Sequence, residues 1–83
     1  IPVVIGEKPR RKDHAYIFFG KKHFKKSNYF NLSKKSNLRE AASNLYKTMR
    51  KIKDQGYKKI FVAKIPNLGP GIAINDRLTR ASK

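Results

Sequence analysis

Residues 65–81 read Ile-Pro-Asn-Leu-Gly-Pro-Gly-Ile-Ala-Ile-Asn-Asp-Arg-Leu-Thr-Arg-Ala, and no other stretch of the chain restricts the backbone so tightly. Pro66 and Pro70 forbid a regular strand or helix from running through it, while Gly69 and Gly71 permit backbone angles or close approaches that a side chain would block. The helix that follows, over about residues 72–82, sets Ile74, Leu78 and Ala81 on one face. Asp76 and Arg80 stand one helical turn apart in acid-first order, which suits an ion pair on the outer face. The segment thus reads as a turn that delivers an amphipathic helix onto an apolar surface.

The rest of the chain supplies that surface. Residues 15–19, rich in aromatic and branched side chains and closed by Gly20, predict a buried strand. Tyr29 to Leu32 offers a second short strand, and 59–65 a third. The third has apolar residues on both faces, Ile60 and Val62 on one and Phe61, Ala63 and Ile65 on the other, which suits a central position. Between the last two lies the strongest helix signal, over 37–55. Asn37 can cap it, Glu40 can reach back as in a capping box, and Gly56 gives a permissive stop. Leu38, Ala41, Ala42, Leu45, Met49 and Ile52 make its apolar stripe.

Residues 1–13 read as a linker or an edge strand, with Pro9 interrupting any regular continuation, and 14–83 as a single small domain. The Ile1-Pro2 start reads as that of a piece of a longer chain. The strand, helix, strand, helix order predicts an α/β fold: a three- to four-stranded, mainly parallel sheet joined by right-handed crossovers, with helices at about 37–55 and 72–82.

The run I-P-N-x-G-x-G-I-A-I-N-D-R-L-x-R-A resembles the closing motif of the two-domain threonylcarbamoyl-AMP synthases. Tyr29-Phe30-Asn31-Leu32-Ser33, Leu38-Arg39-Glu40-Ala41-Ala42-Ser43-Asn44-Leu45-Tyr46-Lys47 with Arg50, and Ile60-Phe61-Val62-Ala63 follow the order of that family's small C-terminal domain. Phe19-Gly20 and Ile1-Pro2-Val3 are looser matches. The resemblance implies a Rossmann-like C-terminal accessory domain. Its parent would carry a large N-terminal, YrdC-like catalytic domain, a nucleotidyltransferase making threonylcarbamoyl-AMP from threonine, bicarbonate and ATP, with magnesium as the companion ion, for tRNA modification. The family usually has a further helix near the start of this domain. Here a basic loop stands in its place, so one sheet face is expected to be thinly covered.

No catalytic residue of its own is legible in the chain. It lacks cysteine, its two histidines have no companion at ligand spacing, and no carboxylates are paired, so the reading assigns it no catalytic group, no metal and no cofactor. The absence of cysteine fits a reducing cytoplasm, and no apolar run reaches the roughly 18 residues of a membrane span. Gly69-Pro70-Gly71 before a helix invites comparison with phosphate-binding turns, but the dinucleotide fingerprint is broken at its third glycine position and the P-loop Lys-Ser/Thr is missing. Nucleotide binding at 69–74 is accordingly the weakest reading. Gly69, Gly71, Asn75 and Arg77 are the candidates for contact with the catalytic domain or a ligand. Asp76 reads more simply as a partner of the helix N-terminus.

Twenty-one Lys and Arg against five Asp and Glu leave a formal charge of +16. Such charge attracts phosphate backbones, yet the surplus of lysine over arginine, with abundant Ile, Asn, Phe and Tyr, is equally what adenine- and thymine-rich codons produce. The charge concentrates in Lys8, Arg10, Arg11 and Lys12, and in Lys21, Lys22, Lys25 and Lys26 around Phe24. Two readings follow: an RNA contact, tRNA being the partner the resemblance suggests, or a solvated hairpin tip. The alternative to an accessory domain is thus a small basic RNA-binding module.

Overall fold

The computed structural model describes residues 2–82. Ile1, part of the 1–13 segment, and Lys83, the end of the 14–83 domain, lie outside it. Four strands, β1 (Val3–Ile5), β2 (His14–Phe18), β3 (Tyr29–Asn31) and β4 (Lys59–Val62), form one sheet in the order β1-β4-β2-β3. Every pairing is parallel, with Val3 opposite Ile60, Ala15 opposite Ile60 and Tyr16 opposite Tyr29. β4 is interior, as two-sided burial demands, and β1 is an edge strand held by β4 alone. β4 ends earlier than the expected residue 65: the Val62 carbonyl accepts from the Gly6 N–H, the Ala63 N–H donates to the Ile17 carbonyl, and Ile65 lies beyond the strand, buried in the core.

The helices are α1 (Leu38–Asp54) and α2 (Pro70–Ala81). α2 starts two residues before the expected boundary because proline is pre-set for the first helical position, where its missing N–H costs nothing. α1 has the expected cap, Asn37 Oδ1 accepting from the Glu40 N–H at 3.0 Å. The return half of the capping box differs. The Glu40 carboxylate accepts instead from the Ser33 hydroxyl at 2.6 Å, and that same Ser33 oxygen accepts the Asn37 N–H at 3.0 Å. Ser33, 2% exposed, therefore relays the carboxylate to the cap.

Both helices lie on one face of the sheet. Ala41, Leu45 and Ile52 of α1 and Ile74 and Leu78 of α2 are buried with Val3, Ala15, Ile17, Ile60 and Val62, and Leu32 completes the cluster. The opposite face carries Val4, Phe61, Tyr16 and Tyr29 in one row across the four strands. Chain direction accounts for this. The connections β1 to β2 and β2 to β3 step one way across the sheet and β3 to β4 returns, so right-handed crossovers put the first two on the face that α1 leaves open. Those two connections contain no helix. The basic segment 21–27 is thus not a hairpin tip, since β2 and β3 are parallel; it folds back over the sheet and seats Phe24 edge-on against Phe18, ring centres 4.9 Å apart.

Candidate functional site

The turn before α2 is stitched from within. Gly69 has φ 52° and caps the helix, where a residue with a Cβ would be strained. A Cβ on Gly71 would lie 1.9 Å from the Pro66 carbonyl oxygen, so only glycine lets α2 start this close to the incoming chain. Asn75 holds the other side, its Nδ2 donating to the Ile65 carbonyl at 3.0 Å and to Asn67 Oδ1 at 3.3 Å.

This geometry leaves little for a phosphate. Pro70 has no N–H, the Gly71 N–H donates to the Leu68 carbonyl at 2.9 Å, and the Ile72 N–H to that of Gly69 at 3.1 Å. Two of the donors at the helix start are thus already engaged. Asp76 is not at the helix start either: the first turn of α2 holds no acidic residue, and Asp76 pairs with Arg80 at 3.1 Å farther along.

Arg77 points elsewhere. It lines an open cleft of about 530 Å³ between the two helices, with Val3, Tyr46, Met49, Arg50, Lys53, Ile60 and Ala81. Apolar surface and three cations meet there, and none of the lining residues is acidic. Arg50 lies over the Tyr46 ring, 5.3 Å from its centre, while among the described residues Arg77 has no carboxylate partner. The structure therefore separates Arg77, which is exposed, from Gly71 and Asn75, which are used inside the fold. Sequence reading missed two exposed apolar residues beside the turn, Leu68 at 62% and Ile72 at 55%. Ile72 directly follows Gly71 and falls off the stripe of Ile74 and Leu78, which was the available signal.

On the helix-free face the two basic patches come together. Arg10, Arg11, Lys12, Lys25 and Lys26 share a depression of about 420 Å³ with Asn28 and Tyr29. Lys8 lies 5.5 Å from the centre of the Phe24 ring, Lys26 5.2 Å from that of Tyr29 and Lys59 5.3 Å from that of Phe61. Arg11 is clamped to Asp13 by two bonds of 2.8 and 3.0 Å, and this guanidinium holds the Asp13 carboxyl below the usual carboxylate range. Burial, with Tyr29 adjoining, pushes the Tyr16 phenol up. Lys21 and Lys22 belong to a neighbouring depression with His23, Lys34 and Lys35, the last two unflagged by the sequence reading.

Among the described residues no cluster of His, Cys, Asp or Glu is placed to hold a metal, and no helix is long and apolar enough to cross a membrane. In comparisons with known proteins, the family model described as threonylcarbamoyl-AMP synthase, C-terminal domain, matches residues 3–83. No curated protein and no solved structure matches.

Proposed function

Because the chain belongs to the family of threonylcarbamoyl-AMP synthase C-terminal domains, we propose that it is an accessory domain that docks on the catalytic domain of its parent enzyme through the Arg77 cleft. The catalytic domain forms threonylcarbamoyl-AMP from threonine, bicarbonate and ATP in the cytoplasm, and the accessory domain helps enclose its site. Enclosure has a physical purpose, since excluding water protects reactive intermediates from hydrolysis.

One observation carries the reading: Arg77, without a carboxylate partner among the described residues, lines a cleft whose wall includes Val3, at the start of β1. A segment of the catalytic domain presenting a carboxylate beside apolar side chains complements Arg77, Arg50 and Lys53 over Met49 and Ala81. Arg77 is the specific element, because its planar fork can donate two parallel bonds to one carboxylate. The polypeptide joins the sheet at this same wall, so a preceding domain is tethered close to the cleft. ATP binding belongs to the catalytic domain, in keeping with the engaged donors of the α2 turn.

The test uses the full-length enzyme. Arg77→Ala is expected to loosen domain docking, read by crosslinking or small-angle scattering, and to lower threonine- and bicarbonate-dependent pyrophosphate release or raise wasteful ATP hydrolysis. If docking and adenylate formation are both unchanged, the proposal is wrong.

A further inference from the structure

The helix-free face of the sheet has an arrangement that docking through the Arg77 cleft does not use. Three lysines from three different parts of the chain, Lys8, Lys26 and Lys59, each lie over an aromatic ring, those of Phe24, Tyr29 and Phe61. The rings are not isolated. Phe24 and Tyr29 meet at 5.0 Å between centres, and both contact Phe18. Tyr29 also lines two cationic depressions at once, one with Arg10, Lys12 and Lys25, the other with Lys22, Lys34 and Lys51. The second, about 410 Å³, wraps round β3 at the sheet edge to reach Thr48 and Lys51 of α1 on the other face. Positive charge thus leads up to the Phe24 and Tyr29 pair from both sides, none of the residues that line the first depression is acidic, and Asp13 nearby is held by Arg11.

We infer that this face and the adjoining β3 edge bind an unpaired polynucleotide strand, with phosphates in the two cationic depressions and bases over Phe24 and Tyr29. The lysines act as placeholders. Phe24 and Tyr29 are half-buried, with part of each residue open to solvent; an ammonium over such a ring is weakly held, and a base stacked on the same ring is held more strongly, so an arriving strand can displace Lys8 and Lys26 from the π-faces. The displaced ammonium groups then lie beside the phosphates they neutralise. A duplex gains only the second half of this exchange, because its bases are already stacked on one another. An acidic peptide likewise satisfies the charge but leaves the rings uncovered.

The test measures binding of a fluorescein-labelled twelve-nucleotide single-stranded RNA to the 83-residue chain by anisotropy, with the matching duplex, the single-stranded DNA equivalent and polyglutamate as competitors. Single-stranded RNA and DNA are expected to bind alike and several-fold more tightly than duplex or polyglutamate. For about five phosphate contacts on a single strand, affinity falls about a hundredfold between 50 and 200 mM salt. Phe24→Leu keeps an apolar plug on Phe18 while removing the π-face, and is expected to weaken single-strand binding at least about fivefold with duplex binding unchanged. Lys25→Glu with Lys26→Glu weakens every anion, and circular dichroism verifies that each variant is folded. Equal affinity for strand, duplex and polyglutamate would show charge attraction alone and overturn the proposal, as would Phe24→Leu binding the strand like the parent chain.

Discussion

The hydrogen that Gly71 carries in place of a side chain faces the carbonyl oxygen of Pro66, and a Cβ there would approach that oxygen to 1.9 Å. Since the obstacle is backbone, no rotamer change relieves it. Gly71→Ala should therefore destabilise the domain by about 3 kcal/mol, although alanine is ordinarily the better helix former. Gly56→Ala is the comparison: its φ of 83° disfavours a Cβ, but nothing lies within 4 Å, so the loss should be nearer 1 kcal/mol. Urea denaturation of the two variants separates the effects.

Ser33 should matter more to α1 than the cap itself. Asn37→Ala removes one bond at the helix terminus and should cost about 1 kcal/mol. Ser33→Ala strips a partner from both the Asn37 N–H and the Glu40 carboxylate at a site only 2% exposed, and should cost about 2 kcal/mol. If the two substitutions rank the other way in denaturation midpoint, the relay through Ser33 is not what fixes the start of α1.

The two sides of α2 should respond very unequally to truncation. Leu78 is fully buried, and Leu78→Ala should cost about 3 kcal/mol, a large share of the stability of a small domain. Ile72 is 55% exposed, and Ile72→Ala should change stability by no more than about 0.5 kcal/mol. Thermal unfolding of both shows which face the core holds.

Acid should release the Arg11–Asp13 clamp late. The Asp13 carboxyl is held down first by its hydrogen bond from Arg11, so its folded-state value lies below its unfolded one. The contact is therefore fully formed above the unfolded value and is lost as pH falls through the folded one. Carboxyl-carbon NMR of Asp13 should show a midpoint below the ordinary aspartate range, and Arg11→Ala should return it there. An unaltered midpoint in that variant would mean the clamp does not persist in solution.

Much of this architecture was legible because its signals are local. The stripe from Leu38 to Ile52, the Asn37 cap and the two-faced strand around Phe61 each declare themselves within a few residues. What the chain did not declare depends on partners distant in sequence. Glu40 looked like half of a capping box, and only the fold shows Ser33 intervening. Segment 21–27 resembled a hairpin tip because its composition says nothing of strand direction, which the sheet order decides. The candidate site divides in the same way. Gly71 and Asn75 make contacts within the turn, Arg77 has no carboxylate partner among the described residues, and the meeting of Arg10 to Lys12 with Lys25 and Lys26 needed the sheet to bring the two loops together.

The pairing of Val3 with Ile60 has a consequence for how the chain is made. Within this domain β1 is made before every other described element, yet its neighbour in the sheet, β4, is made after all of them but α2. Until β4 emerges, an apolar strand waits without a partner while β2, β3 and α1 pass by. Such distant pairing makes for slow folding and a period of exposure to chaperones and misassembly. Any domain translated ahead of this one would complete its own fold while its neighbour's first strand was still unplaced.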